Sequence, residues 1–227
     1  NKKKKILIAE HCFLDNPHPY GINSLFEDFY EWLEFLGKFS KQTDYEWYIK
    51  THPDFKPQTQ KIINSFISKY ENFKLLPSNT SHHQIIKEGI NCVLTVHGTI
   101  AWEYAFFKIP VINASLNNPH INFNFSYHAR NITQYKNAIL NFEHLKLNFS
   151  KNEIYKFYFM HYIYRNSDWM IEDIDKFLLE IKGYKNISNL IFYKNFIKKI
   201  DKSRIKKIDD KIYKFLKSGK FLITKNI

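Results

Sequence analysis

A parallel α/β sheet of Rossmann-like type, followed by a helical C-terminal extension, is the fold class this 227-residue sequence predicts. Three observations carry that expectation. Short apolar runs such as Ile6-Leu7-Ile8-Ala9, Trp47-Tyr48-Ile49 and Val93-Leu94-Thr95-Val96 recur through the first half of the chain and suit strands covered on both faces. Between them stand segments with apolar residues at helical spacing. Polar, turn-rich loops follow the first, second and fourth runs, which places all three at the carboxyl edge of a parallel sheet, where such sheets bind ligands.

The elements follow in order. Residues 5–13 read as a first strand running into Glu10-His11-Cys12-Phe13-Leu14-Asp15-Asn16-Pro17-His18, a loop dense in ionisable and turn residues. Ser24 starts an amphipathic helix carrying Leu25, Phe26, Phe29, Trp32, Leu33 and Leu36, with Gly37 close to its end. Residues 47–50 form a second strand, 61–70 a helix, 73–76 a third strand. Ser81 caps a short helix over 82–88 that Gly89 closes. The fourth strand leads through His97-Gly98 to a helix that Thr99 is placed to cap, and residues 110–114 make the fifth strand. Residues 115–131 read as loop. Helices are expected over 134–145, 150–165, 171–181, 188–200 and 203–216. The resulting division is a Rossmann-like domain over 1–135, for which the resemblance described below implies nucleotide-sugar binding, a helical cover packed on it over 136–183, and a basic helical tail over 184–227.

Composition narrows the function classes. A hydrophobic fraction of 44% with 18% aromatics supports a packed core. The net charge of +12 is concentrated: residues 184–227 hold 12 Lys and 1 Arg against 3 Asp, or +10 of that total. Apolar residues interleave with those lysines, so the tail reads either as a basic amphipathic surface for an anionic membrane or lipid-linked acceptor, or as a helical cover with a solvated lysine face. Nucleic acid is not an expected partner, because the positive charge follows no helix-turn-helix, RRM or OB-like pattern. Cys12 and Cys92 sit in apolar runs and read as buried thiols rather than a disulfide pair. No run approaches the roughly 18 apolar residues of a membrane span, and the basic start with its four-residue apolar run is too short for a signal peptide, so a cytoplasmic setting is expected.

The chemistry-bearing residues fall in the three edge loops. Lys50 and His52 stand at the end of the second strand, where a cation and an imidazole can meet phosphate oxygens; an ordinary turn with an exposed histidine is the alternative. His97, Gly98 and Thr99 lead into a helix whose positive end favours an anion, and Glu103 sits one turn in, placed either for ribose hydroxyls or for the helix dipole alone. His11, Asp15 and His18 in the first loop are groups able to do acid–base work if they face a cleft, against a turn-capping Asp15 with surface histidines. Neither the Gly-x-Gly-x-x-Gly pattern nor a Gly-Lys-Ser/Thr P-loop is present, which argues against dinucleotide and P-loop sites. The adjacent His82 and His83 point apart on a helix and are not read as metal ligands.

Lys50-Thr51-His52-Pro53-Asp54, followed by Val93 through Ala105 and then Ile109-Pro110-Val111-Ile112, resembles the donor-binding half of bacterial capsule-polysaccharide glycosyltransferases of GT-B type, the capsule β-Kdo transferases above all. The resemblance covers residues 5 to about 135. It departs from that family where Thr51 replaces a proline, where His97-Gly98-Thr99 replaces a Thr-Ser pair, and where residues 115–131 lack a Gly-Trp-Gly loop. Fold and nucleotide-sugar class therefore carry over better than the Kdo donor. The resemblance implies a metal-independent transferase with no cofactor, whose substrates are a nucleotide sugar and a glycan or lipid-linked glycan acceptor. It implies that His52, Thr99 and Glu103 hold the nucleotide part, and that Asp15 or His11 lies near the reacting sugar. Enzymes of this type have two Rossmann-like domains, so an acceptor domain is expected outside this sequence. A nucleotide-sugar epimerase of the same fold and a non-catalytic docking module are the rival readings.

Overall fold

The apolar runs form strands and their flanking patterns form helices in the computed structural model, which describes residues 3–13, 23–52, 57–77, 79–163, 176, 179 and 190–218. Strands β1 (Lys5–Ala9), β2 (Glu46–Lys50), β3 (Phe73–Leu75), β4 (Cys92–Thr95), β5 (Val111–Asn113) and β6 (Tyr127–His128) make one sheet in the order β3-β2-β1-β4-β5-β6. Every pairing is parallel, with Ile8 opposite both Ile49 and Leu94, and Leu94 opposite Ile112. This is the strand order of the doubly wound dinucleotide-binding folds.

Side chains alternate across the strands, and helices cover both faces. On one face Ile6, Ile8, Trp47, Ile49, Cys92 and Leu94 pack with Trp32, Leu33 and Leu36 of α1 (Phe29–Ser40). Ile63 and Phe66 of α2 (Pro57–Lys69) and Tyr135, Ala138 and Ile139 of α5 (Ile132–Leu140) complete that cluster. The opposite face is met by α4 (Ile100–Phe106), which contacts β4 and β5 through the fully buried Ala101, Tyr104 and Ala105. Ile85 of the short α3 (His82–Lys87) is buried as well. Phe157 of α6 (Lys151–Tyr158) joins Trp102, Phe123 and Phe125 in an aromatic cluster, 4.6 Å from the Trp102 ring. A buried hydrogen bond, Trp32 Nε1–H to Tyr135 Oη at 2.9 Å, ties α1 to α5.

Three local expectations are corrected. The first helix starts at Phe29 and not at Ser24, because the backbone of 23–25 pairs with 114–116: Leu25 N–H donates to Ala114 O at 2.9 Å and Leu116 N–H to Asn23 O at 2.8 Å. Asp28 takes the cap, its carboxylate accepting from Glu31 N–H at 2.7 Å. The expected loop over 115–131 contains β6, two residues whose only signal is tertiary: they pair with Ile112 and Asn113, and Asn113 Nδ2 donates to Tyr127 O at 3.0 Å. The expected helix over 134–145 ends at Leu140 and gives way to a 3₁₀ turn, Phe142–His144.

The chain divides into two compact units, Asn1–Phe157 and Tyr158–Ile227. The second contains a π-helical turn (Phe159–Ile163), α7 (Leu190–Lys199) and α8 (Lys202–Ser218). No residue of α8 is buried, and Ile212, Tyr213 and Leu216 are exposed beside its lysines. The helix expected over 171–181 lies outside the described residues except at 176 and 179, which are helical. No described helix is long and apolar enough to cross a membrane. Cys12 and Cys92 are both buried and free.

Candidate functional site

The helices that follow β1 and β2 lie on one face of the sheet, and α4, which follows β4, lies on the other. The chain thus reverses its winding between the neighbouring strands β1 and β4, and the loops leaving their carboxyl ends diverge. A cavity of about 420 Å³ opens there. After β1 it is lined by Glu10, His11 and Cys12; at the end of β2 by Lys50, Thr51 and His52; after β4 by Thr95, His97, Gly98 and Thr99. Phe29, His82 and Glu103 complete the wall from the helices. Asp15 and His18 lie outside the described residues.

His11 is held by backbone. The N–H groups of Val96 and His97 point at its Nε2 at 3.3 and 3.4 Å, with Thr95 Oγ1 at 3.1 Å. That network assigns the proton to Nδ1. The ring stacks on Phe29 at 4.6 Å and leans against His97 at 4.4 Å. Burial first, then the neighbouring His97 and His52, hold its pKa well below the ordinary imidazole value, so the side chain is neutral. This geometry makes His11 the joint between the β1 and β4 loops.

Gly98 has φ +123°, a conformation that side-chain-bearing residues rarely adopt. A Cβ there would meet only His11 Cε1 at 4.0 Å, so the glycine is required by backbone geometry and not by space. Thr99 occupies the position before α4, but its φ and ψ of −66° and −26° are already helical, and its side chain accepts no capping hydrogen bond. Capping needs an extended residue, so that expectation is corrected. The helix itself is seven residues long, and the N–H groups of Trp102 and Glu103 both turn back to Thr99 O at 3.2 Å.

Two lining residues were missed by the sequence reading. His82 faces the cavity, its Nδ1 3.0 Å from Tyr104 Oη, while His83 packs edge-on to Phe107 on another side. Burial, then the charge of Lys50, lowers the His82 pKa, and Glu103 opposes them. Lys50 is itself 7% exposed, and burial lowers its pKa. The second missed residue is Glu10, 4% exposed. Neither of its oxygens has a hydrogen-bond partner of ordinary geometry. Desolvation, countered in part by the backbone N–H of His52, pushes its pKa up to about 8. Its position directly after the apolar run Ile6–Ala9, at a strand's carboxyl end, was the available signal.

The cavity therefore gathers an amine, four imidazoles and two carboxyls, one of which keeps its proton at neutral pH. Such a set can hold an anionic group at the cations and a polyhydroxyl group at the acids. No group of three or more His, Cys, Asp or Glu side chains among the described residues is placed to hold a metal ion.

The first compact unit is thus a doubly wound, Rossmann-like α/β domain with a polar cavity at its switch point. No protein-family model matches the chain, and no curated protein matches it in sequence. Among solved structures it is similar to the wall teichoic acid polymerase TagF, at 19% identity and a TM-score of 0.42 over 69% of this chain. The match spans 38% of the TagF chain.

Proposed function

We propose that the chain binds a nucleotide-activated sugar at the β1–β4 crevice, as a glycosyltransferase or as the donor-binding domain of one. Its acceptor on this reading is a bacterial capsular or other surface glycan. One observation carries the proposal: Lys50 and His52 after β2, and His97, Gly98, Thr99 and Glu103 after β4, chosen from two separate segments of the sequence, all line a single cavity at the switch point. Lys50 and His52 serve the phosphates and stabilise the charge that develops on the leaving group, a role that needs no metal ion. Glu103 serves the ribose hydroxyls. The lysines and exposed apolar residues of α8 are assigned to an anionic lipid surface at the inner face of the cytoplasmic membrane, where a lipid-linked acceptor would be found.

Calorimetric titration of the chain with CMP, UDP, GDP and CDP tests the reading. One of the four is expected to bind, and Lys50→Met is expected to weaken that binding by about tenfold or more, as loss of a charged phosphate contact does. Absence of binding to all four overturns it.

A further inference from the structure

Buried carboxyls in folded proteins have several donors around them, whereas Glu10 has the backbone N–H of His52 beside it and makes no hydrogen bond of ordinary geometry. It is enclosed, it lines the cavity, and neither carboxyl oxygen has a hydrogen-bond partner of ordinary geometry. Its backbone is fixed all the same: Glu10 N–H donates to Lys50 O at 3.0 Å, extending the β1–β2 ladder by one residue. The side chain therefore starts from a rigid strand end and not from a wandering loop. A carboxylate in such a place loses its hydration with only the His52 N–H in partial return, whereas the un-ionised acid loses far less. The fold retains a polar group that its own residues leave unsatisfied, and it does so inside the one cavity that gathers the chemistry-bearing loops.

We propose that Glu10 is the residue that grips the sugar of the ligand, as an un-ionised carboxyl that donates one hydrogen bond to a hydroxyl and accepts another. The proposal rests on the nucleotide-sugar reading above and adds to it the group that recognises the sugar. The chemistry selects hydroxyls over phosphate. An un-ionised carboxyl presents an O–H donor and a carbonyl acceptor side by side. Phosphate oxygens accept only, so a phosphate would satisfy the O–H and leave the carbonyl oxygen facing an anion. A pair of neighbouring hydroxyls supplies one acceptor and one donor, and satisfies both. Lys50 and His52, on the adjacent strand end, are the groups suited to the phosphates. A pocket whose buried polar group is completed by a ligand hydroxyl also rejects analogues that lack it, because the group is then left unpaired.

The test titrates wild type, Glu10→Ala and Glu10→Gln with UDP, GDP and CMP, and with UDP-glucose, GDP-mannose and CMP-sialic acid, at neutral pH. Circular dichroism and thermal melts establish that each variant is folded. The expected result is that the attached sugar strengthens nucleotide binding by about tenfold in wild type, the scale of one well-made polar contact to a buried group. Glu10→Ala removes that increment while binding the bare nucleotide within about twofold of wild type, and Glu10→Gln keeps most of it, since the amide also offers a donor beside an acceptor. An increment that is absent in wild type or intact in Glu10→Ala overturns the proposal but leaves the nucleotide site standing. So does equal weakening of bare nucleotide and nucleotide sugar, which would put Glu10 on the nucleotide part, its ribose hydroxyls included. Loss of the increment in Glu10→Gln as well as in Glu10→Ala overturns the un-ionised acid. Failure of wild type to bind any of these probes or CDP overturns both readings. A ligand-free measurement stands beside these: the ¹³C carboxyl signal of Glu10, identified by its disappearance in Glu10→Gln, is expected to be that of a protonated acid at pH 7. A signal already ionised there rejects the proposal whatever binds.

Discussion

Two glutamates show how differently this fold treats its carboxyls. Glu34, on α1, accepts hydrogen bonds from Lys69 Nζ at 2.6 Å and Tyr70 Oη at 3.0 Å, both supplied by the end of α2 and the residue after it. Burial alone would raise its pKa, but those two donors outweigh burial and hold it below the ordinary glutamate value. Glu10, at the end of β1, has only the backbone N–H of His52 against its burial and moves the other way. Where a carboxyl joins two helices, the fold supplies its partners. At the carboxyl edge of the sheet the fold offers only the His52 N–H, which does not outweigh burial, and the enclosed acid keeps its proton. The helix joint is finished by folding, whereas the crevice is finished only by what binds there.

Replacing Glu10, or the groups around Glu34, breaks that contrast, and the largest effect is expected at Glu10. A folded-state pKa of about 8 against 4.5 for the ordinary residue means that its contribution to stability is whole below pH 4.5 and is lost as pH rises to 8. Glu10→Gln removes that dependence. The variant is expected to gain on wild type across this window with a slope approaching about 1.4 kcal/mol per pH unit, and to gain nothing further above pH 8. Denaturant melts at pH 4, 6, 8 and 9 check it; a constant difference sinks the argument. His11 runs in the opposite sense, since a histidine whose pKa is lowered by folding costs stability as pH falls below 6.5. Both proteins carry it, so it cancels in the difference.

The next largest effect falls on the helix joint. A Cβ at Gly37 would come within 2.5–2.7 Å of the Tyr70 ring, which is buried and tethered through its hydroxyl to Glu34. Gly37→Ala is expected to destabilise by about 1–3 kcal/mol, as overpacking does, despite the better helix propensity of alanine. Smaller again is Tyr70→Phe, which keeps the ring but deletes one donor to Glu34; about 0.5–1.5 kcal/mol is expected, read as a shift in denaturant midpoint at unchanged slope. Smallest is Lys69→Met. Its ammonium is solvent-exposed, so the loss is expected to be slight at low salt and to vanish in 1 M salt, where exposed ion pairs are screened. A large, salt-independent loss there would mean that the two carboxyls differ less than their surroundings indicate.

The strands and most helices were legible because their signals are local. Ile6–Ala9 declares a strand by uninterrupted apolar character and Val93–Val96 by its largely β-branched run, and Ser81, Gly89 and the spacing of Ile62, Ile63, Phe66 and Ile67 declare helices and their ends. Where a distant segment competed, local pattern lost. Ser24 has the chemistry of a helix start, but hydrogen bonds to 114–116 hold it extended and pass the cap to Asp28. The β6 pair Tyr127–His128 has no pattern of its own and exists because the edge of β5 lies beside it.

The site divides along the same line. Alternating strands and helices with polar loops after the first, second and fourth strands were enough to place Lys50, His52, His97, Gly98, Thr99 and Glu103 on one edge, because chain order in a parallel sheet dictates which loops share an edge. What the linear order does not contain is the environment of each group there. Glu10 in the sequence is one more charged residue at the start of a loop, and His82 one of an adjacent pair on a helix. Tertiary packing makes the first an enclosed acid without a hydrogen bond of ordinary geometry and turns the second toward the cavity against Tyr104. The reason is that ionisation and hydrogen bonding are set by everything within a few ångströms, and in this domain those neighbours come from β1, β2 and β4, more than eighty residues apart at the extremes and adjacent only once the sheet has formed.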